Sequence, residues 1–202
     1  MLLMLALAAG LAVAALRGGS LLRLGTLRGL WFAIVSFALD ALLQHFPAIA
    51  LGPKAALTTA CYFCVLVFVF FNRTYRPAAA LLGAGTLCNY VVKAANAFRM
   101  PVSVKALQVY AGMTGAEVRA ARPDYFIAEN GARLLPIGDV FYIPFPGQRA
   151  FFSVGDFLIA AGLFLLIVAV VGKRTEKPDA GQAAAKAEGN AQDAESRTPR
   201  KN

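Results

Sequence analysis

Five apolar runs alternate with polar segments along the chain, and this pattern predicts its architecture. The runs cover residues 1–16, 29–47, 55–71, 77–97 and 153–172. A helix of about 20 apolar residues, rising about 1.5 Å per residue, crosses the hydrocarbon core of a bilayer. The pattern therefore predicts an all-α fold, a polytopic membrane bundle of about five transmembrane helices of which the first is short.

The segment 98–152, between the fourth and fifth spans, has the features of an ordered loop. Ser103 can cap a short helix that ends at Gly112, and Thr114 with Glu117 has the spacing of a capping box. Prolines and glycines in the second half of the segment favour an extended, turning path. We therefore expect a partly helical loop that packs on the ends of the helices.

The composition indicates an integral membrane protein with a solvated tail. The chain is 58% hydrophobic and only 15% charged, which is too apolar for a soluble domain of this size. Thirteen basic and six acidic residues precede Lys173, so most of the net charge of +9 belongs to the membrane region. That balance favours the lipid bilayer and its anionic headgroups, rather than nucleic acid, as a partner. Residues 173–202 lack aromatic and branched aliphatic side chains, which predicts a disordered tail.

The basic residues next to the spans predict the orientation of the chain in the membrane. One side would carry Arg17, Arg23, Arg28, Arg73, Arg76, Lys173, Arg174 and Lys177, and the other Lys54, Arg99, Lys105 and Arg149. The side with more basic residues is generally cytoplasmic. The N-terminus and the loop 98–152 are therefore predicted outside, and the tail 173–202 in the cytoplasm.

Polar residues inside the spans are the candidates for function, because each is costly in hydrocarbon. They concentrate in the halves of the helices nearest the loop, and the candidate site comprises Asp40, Gln44, His45, Asn89, Lys93, Asn96 and the adjacent Arg99. One interpretation is that these groups satisfy one another, for example Lys93 with Asp40 or Asp156. The other is a polar cavity that opens outward and binds a lipid, a peptide or a protein.

Small residues within the spans are interpreted as packing residues. Ala6, Gly10 and Ala14 recur at four-residue spacing and form a face that a neighbouring helix can approach closely. The three cysteines, Cys61, Cys64 and Cys88, lie in apolar spans where a redox partner or zinc has no access. No metal or cofactor is therefore predicted.

Three motifs resemble a known family. The stretches NAFRMPV (96–102), LPIGD (135–139) and FSVGD (152–156) are similar to those of the bacterial membrane proteins grouped as domain-of-unknown-function family 5317. The resemblance covers residues 1–172 and implies a multi-pass protein of the bacterial cytoplasmic membrane. It implies no activity. Family members carry a glycine pair where this chain has Ala97 and Phe98, which suggests that the local backbone geometry is not strict.

A partial resemblance concerns the last span. Residues 152–159 read FSVGDFLI and are similar to the Phe-Asn-x-Ala-Asp-x-x-Ile element of lipoprotein signal peptidase. This implies an aspartic hydrolase that uses Asp156 with Asp139, because such a mechanism needs two carboxylates. Val92, however, stands where that family has its other aspartate. The leading prediction is a binding protein without enzymatic activity, the alternative is the hydrolase, and a small-solute transporter is disfavoured by the apolar inner halves of the spans.

Overall fold

The computed structural model describes residues 2–46, 49–112, 114–117, 125–128, 131–145 and 148–172. Within these residues the chain forms five long helices. They are α1 (Leu2–Leu16), α2 (Leu30–His45), α3 (Leu51–Phe71), α4 (Arg76–Ala95) and α5 (Val154–Val171). A short 3-10 helix, Leu21–Thr26, connects α1 to α2.

Three of these helices are long and apolar enough to cross a membrane, namely α3, α4 and α5. The helices α1 and α2 are apolar but have 15 and 16 residues. At about 1.5 Å per residue they are several ångströms shorter than a hydrocarbon core of about 30 Å. The prediction of a mostly helical membrane protein is confirmed, whereas five spans stays a prediction that depends on α1 and α2.

Glycines bring the helices into close contact. A methyl group at Gly85 of α4 would lie 2.6 Å from the carbonyl oxygen of Gly155 in α5, and one at Gly162 would lie 2.7 Å from the amide nitrogen of Leu82. Larger side chains at these glycines would force α4 and α5 apart. On the other flank of α5, Gly10 packs against Ile167. The small face predicted on α1 therefore does contact a neighbouring helix.

A four-stranded sheet follows α4 and precedes α5. Its strands are β1 (Met100–Val102), β2 (Tyr125–Ile127), β3 (Asp139–Phe145) and β4 (Gln148–Ser153), in the order β2-β1-β3-β4. The strand β1 is parallel to β2 and β3, while β3 and β4 are antiparallel. The all-α prediction was wrong in this segment, because two of the strands have only three residues and their pairing is set by partners distant in sequence.

The described residues of the loop surround a small core. Val102, Leu107, Ile127 and Phe151 are buried together. The short helix predicted after Ser103 is present as a π-helix over Ala106–Ala111. The predicted capping box is also present, with the Thr114 amide donating to Glu117 Oε2 at 2.7 Å and the Glu117 amide donating to Thr114 Oγ1 at 3.3 Å. The predicted tail 173–202 lies outside the described residues.

At the end of the bundle away from the sheet, Asn72 joins α3 to the start of α2. Its amide nitrogen donates to the carbonyl oxygens of Phe68 and Arg28, each at 2.8 Å. Its amide oxygen accepts from the backbone N–H of Arg28 at 3.1 Å. Because Asn72 is only 5% exposed, these three bonds are made away from water. Asn72 therefore closes this end of the bundle.

Large apolar side chains cover the outside of the helices. Leu22, Trp31, Phe37, Phe63 and Phe70 are each more than half exposed. Water-exposed surfaces of soluble domains seldom carry so many large apolar groups close together. These side chains suit contact with lipid, which agrees with the membrane environment predicted from the apolar runs.

Candidate functional site

Three helix ends and the sheet meet at one end of the bundle. The strand β1 contacts α4, from whose C-terminal end it continues, and β4 contacts the N-terminal end of α5. The start of α3 lies beside the end of α4, since residues from both line one cavity. The start of α3, the end of α4 and the start of α5 therefore lie on the side of the loop.

A hydrogen-bonded network joins α4 to α5 at this end. Ser153 Oγ donates to Asn89 Oδ1 at 2.7 Å, and Asn89 Nδ2 donates to Asp156 Oδ1 at 2.8 Å. The Asp156 carboxylate also accepts from the Ser153 amide at 2.9 Å, and the Asp156 amide donates to Ser153 Oγ at 3.0 Å. The last two bonds form a capping box that starts α5.

This network satisfies both carboxylate oxygens of Asp156. One oxygen accepts from Asn89 and the other from the backbone of Ser153. Gly155 lies directly against the Asn89 side chain, leaving no room for a Cβ atom. Asn89 and Asp156 therefore fix how α4 and α5 meet, which fits the interpretation in which polar groups satisfy one another.

Asp139, the other predicted catalytic residue, lies at the same junction. It begins β3 and pairs in the antiparallel register with Ser153, which lies three residues before Asp156. Its side chain is buried, at 3% exposed, and its carbonyl oxygen accepts from the Ser103 amide at 3.1 Å. The sheet thus brings the two acidic residues to one strand–helix junction.

The remaining polar residues of the spans have other neighbours. Gln44 Nε2 donates to Asp40 Oδ2 at 2.6 Å within α2. His45 contacts the ring of Phe46, with the ring centroids 4.8 Å apart. The ammonium of Lys93 lies 5.6 Å from the ring centroid of Tyr62 on α3, a cation–π contact.

A cavity of about 550 Å³ opens where α3 begins and α4 ends. Its described lining comprises Ile49, Leu51, Lys54, Ala95, Asn96, Ala97, Arg99, Gly131 and Arg133. Of the predicted candidate site, Asn96 and Arg99 are in this lining, whereas Asp40, Gln44, His45, Asn89 and Lys93 are not. The volume is in the range of small-molecule sites, which is about 300 to 1,000 Å³.

Asn96 attaches the loop to the cavity wall. Its amide nitrogen donates to the carbonyl oxygens of Val92 and Arg133, each at 2.8 Å. Its amide oxygen accepts from the backbone N–H of Arg133 at 3.0 Å. Arg133 is therefore held at the cavity through its backbone, and its side chain takes no part in these bonds.

The turn after Asn96 has strict backbone geometry. Ala97 and Phe98 have φ angles of 51° and 57°, in the left-handed region that favours glycine. The Phe98 amide donates to the carbonyl oxygen of Lys93 at 2.8 Å and closes the end of α4. The interpretation of this position as conformationally lenient was therefore wrong, since a glycine pair would suit it better.

Two cationic lining residues were missed as site residues. Lys54 lies in the first turn of α3, which begins at Leu51 rather than at the predicted residue 55. A lysine one turn inside a long apolar helix was a usable signal, because such a residue must reach a polar region. Arg133 had no comparable signal, since it reaches the cavity only through its contact with Asn96.

The helices and their polar end define a helical membrane protein with a structured loop over one end of its bundle. The chain belongs to a family of unknown function, DUF5317, whose profile matches residues 25–168. This match confirms the family resemblance carried by the motifs, and a similarity to lipoprotein signal peptidase is not shown. No curated protein and no solved structure matches the chain.

Proposed function

We propose that this membrane protein binds a lipid, a peptide or a protein partner in the cavity at the ends of α3 and α4, without catalysing a reaction. The observation that supports the proposal is the cavity itself, with a volume of about 550 Å³ and with Asn96, Arg99 and Lys54 in its lining. It combines apolar wall residues with a few polar groups, as ligand sites do.

The position of the cavity supports a ligand that lies at the membrane surface. The helix α3 has 21 residues and α4 has 20, lengths that match the thickness of the hydrocarbon core. Their ends, and the cavity between them, then lie at the depth of the lipid headgroups. We place this end outside a bacterial cytoplasmic membrane and the tail 173–202 in the cytoplasm. Alkaline phosphatase fused after Gly131 should be active and fused after Lys177 inactive, and the reverse result would invert this orientation.

Cavity filling tests the proposal. Ala95 lines the cavity, whereas its exposed neighbour Ala94 does not. Native mass spectrometry of the full-length protein, extracted in mild detergent, should detect a bound species in the wild type and in Ala94→Trp. The species should be lost in Ala95→Trp. If the wild type carries no bound species, or if Ala95→Trp keeps it, the proposal fails.

The alternative is a hydrolase that uses Asp156 with Asp139, and it is favoured by the register that places Asp139 opposite Ser153. Against it stands the engagement of both Asp156 oxygens in the cap of α5 and in the bond from Asn89. Asp139→Asn and Asp156→Asn, each checked for folding, should abolish processing of a membrane substrate if the protein is a hydrolase. Substrate processing that persists in both variants excludes this alternative.

A further inference from the structure

The cavity lining carries three basic side chains, contributed by two helix ends and the loop. Lys54 comes from the first turn of α3, Arg99 follows α4, and Arg133 comes from the loop. We infer that this cavity recognises the phosphate group of an anionic ligand. The inference rests on the proposed function and specifies the chemistry of the ligand that the cavity holds.

The three cations differ in exposure, which suits a site for a charged group. Lys54 is only 7% exposed, while Arg99 and Arg133 are exposed. A buried ammonium acts on a nearby anion with little screening by water and salt, so its attraction is stronger than that of a surface lysine. The two guanidinium groups present planar, forked donors that match phosphate oxygens. The exposed side chains of Arg99 and Arg133 can thus bind one phosphate, in a cavity whose lining also includes Lys54.

Helix dipoles do not decide the sign of the potential here. The cavity lies at the N-terminal end of α3, which begins at Leu51, and at the C-terminal end of α4, which ends at Ala95. Helix ends carry partial charges of about +0.5 and −0.5, so these two contributions oppose one another. The basic side chains of the described lining therefore favour an anion.

Asn96 acts as a positioning residue in this site. Its amide nitrogen donates to two carbonyl oxygens and its amide oxygen accepts from Arg133, so both polar atoms have intramolecular partners. The bonds hold the backbone of Arg133 and leave its guanidinium able to turn towards a ligand. Substitution of the Arg133 side chain consequently leaves this attachment intact.

Phosphate could come from a lipid headgroup or from a free phosphate ion, and two measurements separate these sources. The first is native mass spectrometry of the full-length protein in a neutral detergent with added phosphatidylglycerol or phosphatidylcholine. The second is equilibrium dialysis with radiolabelled inorganic phosphate.

The variants are Lys54→Met, which keeps the apolar stem, and the double variant Arg99→Gln/Arg133→Gln. Arg76→Gln is the matched control, because Arg76 is exposed at the opposite end of α4.

Phosphatidylcholine carries the same phosphate, but its own choline cation compensates the charge. We therefore expect phosphatidylglycerol to bind about tenfold more tightly than phosphatidylcholine, and the double variant to remove this preference, while Arg76→Gln keeps it. That result assigns the phosphate to a lipid. Binding of inorganic phosphate that is lost in the double variant assigns it to the free ion and also supports the inference.

Equal binding of the two lipids together with no binding of inorganic phosphate would overturn the inference. So would an equal loss in Arg76→Gln, because it would indicate attraction to the overall positive charge. If the double variant and Lys54→Met both keep the wild-type preference for phosphatidylglycerol, while Ala95→Trp binds neither lipid, the phosphate inference fails and the proposed function stands. If the wild type holds no bound species at all, both fail.

Discussion

Two asparagines at opposite ends of the bundle make the same set of hydrogen bonds in different surroundings. Asn72 ends α3 and Asn96 ends α4. Each amide nitrogen donates to the carbonyl oxygen four residues earlier and to that of a distant arginine, Arg28 or Arg133. Each amide oxygen accepts from the backbone N–H of the same arginine. Both arginines are followed by a residue in the left-handed conformation.

The difference between the two asparagines lies in what surrounds them. Asn72 is 5% exposed, and the neighbouring Phe68 and Tyr75 belong to an apolar cluster. Asn96 is partly exposed and lines the cavity with Arg99. The same set of hydrogen bonds therefore closes a packed end of the bundle at Asn72 and holds a basic residue of the cavity lining at Asn96. Local geometry alone does not distinguish a structural contact from a functional one, whereas the surroundings do.

The largest expected effect on stability comes from replacing Asn72, the buried one of the two asparagines. Asn72→Ala leaves the carbonyl oxygens of Phe68 and Arg28 and the Arg28 amide without their partner, in a place that water reaches poorly. Buried polar groups left unsatisfied cost about 1 to 3 kcal/mol each, and partial relaxation should bring the total to about 3 kcal/mol. Thermal unfolding in detergent should show a clear fall in Tm.

Thr74→Ala, in the exposed turn that follows Asn72, is the control for this measurement and should leave the Tm nearly unchanged. Equal effects of Asn72→Ala and Thr74→Ala would mean that the buried amide contributes little. Asn72 would then have no measurable structural role.

Asn96→Ala should have a smaller effect on stability and a larger one on the cavity. Because Asn96 is partly exposed, water can replace some of its hydrogen bonds, so we expect a loss of about 1 to 2 kcal/mol. The detachment of Arg133 should also weaken binding of the species detected by native mass spectrometry. A variant as unstable as Asn72→Ala that binds normally would show that Asn96 has no role in the cavity.

Hydrophobic patterning was sufficient to predict a mostly helical membrane protein. It also selected Asn89, Lys93 and Asn96 as candidate residues, but it did not predict what each of them contacts. Those three residues span about 10 Å along the axis, so each meets a different neighbour: α5, Tyr62 of α3 and the loop. Such contacts depend on where the other helices and the loop lie along the axis of the bundle.

The sheet and the cavity could not be predicted for the same reason. The pairings of β1 with β2 and β3 join segments more than 20 residues apart, and neither three-residue strand has a pattern of its own. The cavity depends on Arg133, which reaches it through one tertiary contact. Spacing along the chain carries information about neighbours on one helix and very little about neighbours across a loop.

The smallest expected effect tests the turn that distinguishes the Asn96 end. Ala97 has a φ of 51°, and an L-residue in that region costs about 1 to 2 kcal/mol, part of which glycine returns as extra freedom of the unfolded chain. Ala97→Gly should therefore stabilise the protein by about 0.5 kcal/mol. Ala94→Gly, three residues earlier in the exposed part of α4, should destabilise it by about 1 kcal/mol.

The opposite signs of these two substitutions are the decisive observation, because both replace the same side chain with glycine. Thermal unfolding in detergent measures both, and a fall in Tm for Ala97→Gly would contradict the left-handed turn. If Ala97→Gly raises the Tm but weakens ligand binding, the turn serves the cavity by keeping Asn96 and Arg99 in place. Unchanged binding would limit its role to ending α4.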